Sequence, residues 1–269
     1  MKFSLVFPGQ GSQAPGMMSA YGESALVRDT FAEASAALGR DLWQLVSEGP
    51  AEAMNQTVNT QPLMLTAGIA AYRLWLSRGG PQPAIVAGHS LGEYSALVAA
   101  GAIEFADAVP LVELRARAMQ EAVPAGTGAM AAILGLDAAT VRGICAEVAQ
   151  GQIVEAVNLN APEQTVIAGH TAAVQRAADT CKARGAKRAL LLPVSAPFHC
   201  SLMLPAAEKL CARLATLNVV APKILLLNNV DVASPQDPAA IKDALVRQAA
   251  APVRWVETVQ ALTGRGVDH

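Results

Sequence analysis

The sequence is poor in several residue types that mark particular classes of protein. Aromatic residues make up 4% of its 269 residues, and its 4 cysteines form no C-x-x-C pair and no metal-ligand spacing. Its 22 acidic and 20 basic residues nearly cancel, so no overall field would hold nucleic acid or an anionic membrane. We therefore expect reduced, buried cysteines, no bound metal and no nucleic-acid partner.

Long hydrophobic runs are also missing. The apolar stretch 96–103 ends at Glu104 before it could cross a bilayer, and the apolar run at the start of the sequence ends at Pro8, too short for a signal peptide. A hydrophobic content of 52% nevertheless allows one large core and a smaller second one. These features predict a cytoplasmic protein with no membrane partner.

The pattern of apolar residues divides the sequence into an outer part and an inserted unit. In the outer part, strand-like runs alternate with helical stretches, which favours an α/β fold with a mainly parallel sheet. Residues 126–194 read as strand, helix, strand, strand, helix, strand, the order of a ferredoxin-like unit. We predict a main domain of residues 1–125 and 195–269 and an inserted subdomain of residues 126–194.

Prolines affect two of the predicted helices in the outer part. Thr60 and Pro62 read as the cap and the early proline of a helix that ends at Gly79. Pro110 lies inside the helical pattern of residues 105–121, where a proline costs about 3 kcal/mol in a regular helix. We expect a kink or a later helix start at Pro110.

A short stretch, Gly88-His-Ser-Leu-Gly92, joins a predicted strand to a predicted helix that stops at Gly101. It matches G-x-S-x-G, a sharp turn that needs glycine on both sides of an exposed serine. Free N–H groups at the start of the helix would stabilise developing negative charge. Ser90 is therefore a candidate nucleophile. Ser90 and Glu93 also match a capping box, in which the serine would only satisfy backbone N–H groups.

A nucleophilic serine needs a base, and the sequence offers 4 histidines. His89 should point away from its neighbour on the turn, His170 reads as a surface or capping residue, and His269 ends the sequence. His199 lies where the chain returns from the inserted unit to the main domain, and clefts at such junctions hold sites. We take His199 as the candidate base. A backbone carbonyl or one of three aspartates would orient it: Asp231, Asp237 or Asp243.

These segments together resemble malonyl-CoA:acyl carrier protein transacylases, a family that includes the acyltransferase domains of polyketide synthases. The matching segments run in order along nearly the whole sequence. They are Val6-Phe-Pro-Gly-Gln-Gly-Ser-Gln13, Gln61-Pro62, Gly88-His-Ser-Leu-Gly-Glu93, Arg115, Asn158-Leu-Asn160, Pro197-Phe-His199 and Gln248 before Pro252-Val253. The resemblance implies an α/β-hydrolase-like main domain with a ferredoxin-like insertion.

The resemblance also implies a reaction and its substrates. Ser90 would attack the thioester of malonyl-CoA while His199 accepts its proton, and the phosphopantetheine thiol of acyl carrier protein would then take the malonyl group. The two partners are malonyl-CoA and acyl carrier protein, and no cofactor is expected. Fatty-acid synthesis is the implied pathway, with polyketide synthesis and malonate decarboxylation as alternatives.

Further site residues are carried over in the same way. Backbone N–H groups of Gln10 and Leu91 would form the oxyanion hole, and Arg115 would bind the malonyl carboxylate in two parallel hydrogen bonds. Two substrate-site residues are Gln248, whose main-chain carbonyl would orient the base, and Asn160. Phe198 fits the malonyl-selective pattern rather than the methylmalonyl-selective one, in which serine is usual.

Three other classes of function compete with this interpretation. Gly9-Gln-Gly-Ser-Gln-Ala14 matches the dinucleotide motif G-x-G-x-x-A, although Pro15 interrupts the helix that should follow. A serine esterase would share the nucleophile and the base but transfer the acyl group to water. A carrier-binding scaffold would use Ser90 only as a helix cap.

Two expectations concern the surface and the end of the sequence. Carrier proteins are usually acidic, so we expect a docking patch beside the cleft, formed by four basic residues: Lys182, Arg184, Lys187 and Arg188. The family continues past a segment like 264–269 into a further strand and a Gly-Pro-Gly turn. Two alternatives are open here, a truncated sequence or an absent terminal strand, and both concern stability and one edge of the sheet.

Overall fold

The computed structural model describes residues 2–194 and 196–268. The strands are β1 (Ser4–Phe7), β2 (Ile85–Gly88), β3 (Gly128–Leu134), β4 (Val154–Ala161), β5 (Gln164–His170), β6 (Arg188–Leu191) and β7 (Leu225–Leu227). The helices are α1 (Ala25–Leu38), α2 (Leu42–Glu48), α3 (Ala51–Met54), α4 (Thr57–Ser77), α5 (Gly92–Ala99), α6 (Phe105–Glu121), α7 (Ala138–Val148), α8 (Thr171–Ala183), α9 (Leu204–Ala215), α10 (Pro238–Ala249) and α11 (Trp255–Gly264). Short 3-10 helices span Ser19–Tyr21 and Ser201–Met203.

A parallel sheet in the order β1-β2-β7 organises the outer part of the chain. Phe7 pairs with Gly88, and Ala87 pairs with Leu227, so the carboxyl ends of all three strands reach the same edge. Loops that follow parallel strands gather at this edge, where α/β folds place their sites. The predicted parallel sheet is confirmed, and its edge brings together the segments after Phe7, Gly88 and Leu227.

An antiparallel sheet, in the order β4-β5-β3-β6, forms between residues 128 and 191. Its elements follow the chain as strand, helix, strand, strand, helix, strand, which is the predicted order. Helices α7 and α8 cover one face, where Val141, Ile144, Val174 and Ala177 are buried against the strands. The predicted boundary at Ser195 lies outside the described residues.

A separate apolar cluster joins the antiparallel sheet to the outer part. Met119 of α6 packs in it with Met130 of β3 and with Phe198 and Met203 beyond β6. The backbone adds a second connection, because Leu159 of β4 donates to the carbonyl of Val253 at 3.0 Å. The two parts of the chain therefore meet over packed side chains, and the candidate site lies at this junction.

The structure corrects the expected cap of one helix and excludes the later start of the other, while the kink at Pro110 stays a prediction. Helix α4 begins at Thr57, so Thr60 is not its cap, and Pro62 lies inside the helix. Proline cannot donate to the carbonyl four residues earlier, and Arg40 Nη2 donates to that carbonyl of Val58 instead, at 3.0 Å. Helix α6 begins at Phe105 and runs through Pro110, so the later start was wrong.

Three structural observations bear on other expectations from the sequence. Cys145, Cys181 and Cys200 are buried and free, but Cys211 is exposed on α9, so the expectation of buried cysteines was wrong for this one residue. No helix in the described ranges is long and apolar enough to cross a lipid bilayer. The loop after β1 leads into a short 3-10 helix at Ser19–Tyr21 rather than a phosphate-binding α-helix, which contradicts the dinucleotide alternative.

Candidate active site

Ser90 occupies a strained turn between β2 and α5. Its φ is +53°, a left-handed conformation that L-residues rarely adopt and that clusters at functional sites. A Cβ on Gly88 would lie 1.9 Å from the backbone of Gly92, and a Cβ on Gly92 would lie 2.2 Å from the carbonyl oxygen of Phe7. Only glycine at both positions lets the chain turn this tightly and present the serine hydroxyl at the sheet edge.

The structure brings the hydroxyl of Ser90 together with the imidazole of His199, as the sequence predicted. Ser90 Oγ lies 2.7 Å from His199 Nε2, and His199 Nδ1 lies 2.9 Å from the carbonyl oxygen of Gln248. A carbonyl oxygen only accepts hydrogen bonds, so Nδ1 carries the proton and the lone pair of Nε2 faces the hydroxyl. His199 is therefore held in the tautomer that can accept the serine proton.

The helix that ends near Gln248 leaves this carbonyl free. Gln248 lies in the last turn of α10, and the residue four positions later, Pro252, has no N–H to donate to it. The three aspartates considered from the sequence are engaged elsewhere: Asp231 and Asp243 with Arg247, and Asp237 as the cap of α10. The backbone carbonyl, not an aspartate, orients the histidine.

Burial and a neighbouring cation keep His199 neutral. Its side chain is 3% exposed, and burial first, then the positive charge of Arg115, lower the pKa of His199 to about 3. A neutral imidazole within hydrogen-bond distance of a hydroxyl can act as a general base. The imidazole is thus ready to accept a proton throughout the neutral range.

Arg115 is a buried cation in direct contact with the nucleophile. It reaches from the middle of α6 and is 2% exposed. Its Nη2 donates to Ser90 Oγ at 3.1 Å and to Gln248 Oε1 at 2.9 Å, while Nη1 donates to Gln61 Oε1 at 2.9 Å. Within the described residues no carboxylate forms an ion pair with Arg115, and its Nε has no hydrogen-bond partner. A buried guanidinium with no carboxylate directly paired to it favours an anionic ligand.

A cavity of about 110 Å³ opens over Ser90 at the junction of the two parts. Its polar side chains are those of Gln10, Gln61, His89, Ser90, Arg115, Asn158 and His199. Its apolar side chains are those of Leu91, Met119, Met130, Leu192, Val194 and Phe198. Polar and apolar side chains thus both line the cavity, and the apolar ones come partly from β3 and from the segment after β6.

Gln10 and Leu91, the expected oxyanion-hole residues, reach the cavity from two different segments of the chain. Leu91 directly precedes the first residue of α5, and Gln10 lies in the loop after β1. That loop is pressed against the turn, because a Cβ on Gly9 would lie 2.6 Å from the carbonyl oxygen of His89. Both residues line the cavity, so their assignment remains a prediction that this position supports.

Asn160 does not line the cavity, which corrects its expected contact with substrate. Its Oδ1 lies 2.8 Å from His89 Nε2, so it stands behind a cavity residue. Asn158 lines the cavity instead, and its buried Oδ1 has no hydrogen-bond partner among the described residues. A register irregularity between Leu159 and Ala161 ends the regular alternation of β4, so strand periodicity alone did not separate the two asparagines.

The capping-box alternative for Ser90 is contradicted by the structure. No side chain caps the start of α5, and the backbone N–H of Ser90 donates to Asn229 Oδ1 at 2.7 Å. Asn229 also donates from Nδ2 to the carbonyl of Gly88 at 2.7 Å, which fastens the loop after β7 to the turn. Sequence reasoning missed Asn229, although the polar pair Asn228-Asn229 directly after β7 is a usable signal for the edge of the sheet.

The expected docking patch is not beside the cavity. Arg188 pairs with Leu134 at the start of β6, whereas Leu192, which lines the cavity, donates to the carbonyl of Met130. Leu192 follows Arg188 by four positions, about 13 Å at a rise of about 3.3 Å per residue. The side chains of Arg184 and Lys187 form ion pairs with Glu147 and Glu163. The patch was therefore misplaced, and its role in docking stays a prediction.

The similarity of this sequence to known proteins extends over nearly the entire chain. The acyl transferase domain family matches residues 4–268. The malonyl CoA-acyl carrier protein transacylase of Escherichia coli strain K12 is 58% identical over 269 residues, which cover 100% of this chain and 87% of that protein. The transacylase of the same name from Bacillus subtilis strain 168 is 44% identical over 268 residues, 99% of this chain and 84% of that protein.

Solved structures agree with the same assignment. An acyl-carrier-protein S-malonyltransferase from Burkholderia pseudomallei 1710b is 62% identical with a TM-score of 0.99, over 100% of this chain and 88% of that one. Fold and sequence therefore define an acyltransferase. Within that class, the chain belongs to the malonyl-CoA:acyl carrier protein transacylase family.

Proposed function

We propose that the chain transfers the malonyl group from malonyl-CoA to the phosphopantetheine thiol of acyl carrier protein, feeding fatty-acid synthesis. The observation that carries the proposal is the contact of a buried guanidinium with an activated serine: Arg115 Nη2 lies 3.1 Å from Ser90 Oγ, and His199 Nε2 lies 2.7 Å from the same oxygen. An acyl group that carries its own carboxylate matches this pairing of nucleophile and cation.

The first half of the reaction forms a malonyl-serine ester. His199 Nε2 takes the proton of Ser90 Oγ as the oxygen attacks the thioester carbonyl carbon of malonyl-CoA. Backbone N–H groups of Gln10 and Leu91 stabilise the oxyanion. Removal of one donor of this kind typically costs about 2.7–4 kcal/mol in transition-state stabilisation. The carbon–sulfur bond then breaks, and the proton on His199 passes to the departing CoA sulfur.

The second half regenerates the serine. The phosphopantetheine thiol gives its proton to His199, and its sulfur attacks the ester carbonyl carbon. The bond between that carbon and Ser90 Oγ breaks, and His199 returns a proton to the serine oxygen. The CoA thiol is the leaving group and the phosphopantetheine thiol is the acceptor, and both belong to the substrates. The proposed chemistry therefore uses no cofactor and no metal.

Selectivity for malonyl rests on Arg115 in this proposal. The malonyl carboxylate would take two parallel hydrogen bonds from the guanidinium, whereas an acetyl group would leave the buried charge without a partner. Phe198, 9% exposed at the cavity wall, limits the space beside His199 and fits the smaller malonyl group over a branched one.

We also assign the architecture at a finer level. The strand order β4-β5-β3-β6 and the element order within residues 126–194 support a ferredoxin-like subdomain inserted into an α/β-hydrolase-like domain of residues 1–125 and 195–269. The turn at Ser90 supports the hydrolase-like description, because it places the serine between a strand and a helix at the carboxyl edge of the sheet. A cytoplasmic location remains a prediction of the sequence.

The fate of the acyl group tests the proposal. The protein is mixed with malonyl-CoA labelled in the malonyl group, quenched at short intervals, and then given phosphopantetheinylated carrier. We expect an acyl-protein that persists until carrier arrives and then passes its label to the carrier thiol. Rapid release of free malonate without carrier would show a thioesterase, and absence of labelled protein would show a scaffold.

A polyketide carrier is a second candidate acceptor. A malonyl-transacylase solved in complex with a type II PKS acyl-carrier protein is 55% identical, with a TM-score of 0.98, and covers 99% of this chain and 87% of that one. Transfer rates from the labelled acyl-protein to a fatty-acid carrier and to a type II polyketide carrier would be compared at equal concentrations. A higher kcat/KM for the fatty-acid carrier supports the proposed pathway, and the reverse preference assigns the chain to polyketide synthesis.

A further inference from the structure

Glu93 is a buried carboxylate that the proposed reaction does not use. It lies in the first turn of α5, three residues after the nucleophile, and is 1% exposed. Its Oε2 accepts two hydrogen bonds of 2.9 Å, one from the backbone N–H of Asn229 and one from Gln248 Nε2. No lysine, arginine or histidine in the described residues forms an ion pair with Glu93. Its contacts therefore lead to Gln248 and to the loop after β7.

The side-chain amide of Gln248 is the group that Glu93 holds. Nε2 donates both to Glu93 Oε2 at 2.9 Å and to the carbonyl of Ser90 at 3.0 Å, while Oε1 accepts from Arg115 Nη2 at 2.9 Å. Gln248 is fully buried. All three side-chain contacts of this amide thus lie within the site, and none of them reaches solvent.

The orientation of the Gln248 amide determines whether its oxygen or its nitrogen faces the guanidinium of Arg115. A guanidinium only donates hydrogen bonds, and Glu93 Oε2 and the Ser90 carbonyl both accept them. If the amide turned over, Nε2 would face the guanidinium and Oε1 would face two acceptors, and every contact would be mismatched. Two acceptors on one side therefore keep Oε1 directed at Arg115. The Ser90 carbonyl is a backbone group fixed by the turn. Glu93 is therefore the only one of the two acceptors whose side chain sets the orientation of the Gln248 amide.

We propose that Glu93 is a positioning residue for malonyl selectivity, which holds the Gln248 amide so that its Oε1 aims Arg115 Nη2 at the acyl pocket. Glu93 touches neither the serine oxygen nor the cavity. Its hydrogen bond from Gln248 leads to Arg115, and its hydrogen bond from Asn229 leads to the turn at Ser90. The inference rests on the proposed function, since selectivity for a carboxylate-bearing acyl group is what Arg115 supplies there. It predicts an effect on the malonyl group that is absent for a neutral acetyl group.

Three variants test this role: Glu93→Met, Glu93→Gln and Glu121→Gln. Glu93→Met keeps a side chain of similar length without an acceptor. Glu93→Gln keeps an acceptor, because both native hydrogen bonds reach the same oxygen and an amide oxygen can take them. Glu121→Gln is the control for loss of a carboxylate, since this residue is exposed on α6 and pairs with Lys209. Acylation rates with malonyl-CoA and acetyl-CoA are measured per active site in each variant and in the wild type.

We expect Glu93→Met to lower the ratio of malonyl to acetyl rates by about tenfold or more, the loss typical of a buried hydrogen bond to a charged group. Glu93→Gln should keep the ratio within about threefold of the wild type, and Glu121→Gln should leave it unchanged. Should Glu93→Met not fold, Glu93→Asp serves in its place, because the shorter side chain withdraws the acceptor from Gln248 and should lower the ratio as well.

Equal losses with malonyl-CoA and acetyl-CoA in Glu93→Met or Glu93→Asp would overturn the inference, because they would show only a general structural role. A ratio that falls as far in Glu93→Gln would overturn it too, since the acceptor would then not be the cause. Failure of the proposed function is separate from both outcomes: in that case the wild-type protein itself would not be acylated by malonyl-CoA.

Discussion

Nη2 of Arg115 donates a hydrogen bond to Oγ of Ser90 at 3.1 Å, so a buried cation touches the nucleophile before any acyl group is bound. The same charge contributes, after burial, to the low pKa of His199. Arg115 therefore favours a negatively charged serine oxygen, helps to keep His199 neutral and can bind an anionic substrate. The predictions below separate these effects.

Replacing the cation should remove selectivity. In Arg115→Ala we expect the acylation rate with malonyl-CoA to fall by about 100-fold or more, because a buried charge pair loses one partner. The rate with acetyl-CoA should change much less. Arg117→Ala is the matched control, since this arginine lies two residues later, on the opposite and exposed side of α6, and touches Glu113 only at 3.9 Å. Undiminished discrimination against acetyl-CoA in Arg115→Ala would contradict the assignment.

Removing the base should slow acylation without unfolding the protein. His199→Ala should lower the rate of ester formation by about 10²–10⁴-fold, the usual contribution of a general base. His170→Ala is the control, because His170 Nδ1 accepts only from the backbone of Ile153 on the antiparallel sheet. Rapid-quench measurements of both variants would refute the role of His199 if the two rates fell equally.

The low pKa of His199 predicts a particular pH dependence. An ordinary histidine titrates near pH 6.5, so a base-dependent rate would fall about tenfold per pH unit below that value. Burial and Arg115 lower the pKa of His199 to about 3, so the imidazole stays unprotonated from pH 8 down to pH 5. The acylation kcat/KM, which reports the free protein, should show no histidine limb near pH 6.5 in this range. Burial raises the pKa of Glu93 to about 7, so the profile is measured in Glu93→Gln as well. A tenfold fall for each unit below pH 6.5 that persists in Glu93→Gln would show an ordinary imidazole.

The tight turn should tolerate no side chain at its glycines. Gly88→Ala should destabilise the fold by about 3 kcal/mol or more, because the new Cβ would overlap the backbone of Gly92 at 1.9 Å. Gly143→Ala is the contrasting change: this glycine lies within α7 with open space around its Cβ position. Alanine there should raise the free energy of unfolding by about 0.5–1 kcal/mol. Urea denaturation of both variants checks the prediction, and similar stabilities would contradict it.

Local chemistry made part of the site predictable from the sequence. The glycines at 88 and 92 are needed for the turn, so the pentapeptide alone indicated an exposed serine at position 90. The alternating strands and helices likewise predicted the parallel sheet and the order of elements in the inserted unit. In each case the signal lies within a few neighbouring residues, where steric and periodic constraints act.

Contacts between distant segments were less visible in the sequence. Asn229 holds the turn and Glu93 holds the Gln248 amide. The position of Asn229 after β7 is a signal for the edge of the sheet, but nothing local identifies the distant partner of either residue. The capping-box pattern gave a wrong prediction, because the side chains of Ser90 and Glu93 hydrogen-bond to His199 and Gln248 instead of capping α5. The role of Arg115 came from family resemblance alone, since a charged residue on a helix usually faces solvent.

Site mapping of the acyl-protein tests the central claim most directly. The protein is incubated with malonyl-CoA in the absence of carrier, digested, and analysed by mass spectrometry alongside Ser90→Ala. The account predicts one malonyl group on the peptide that contains Ser90, lost on addition of carrier protein and missing from the variant. A malonyl group attached at another residue, or carrier malonylation that persists in Ser90→Ala, would contradict it.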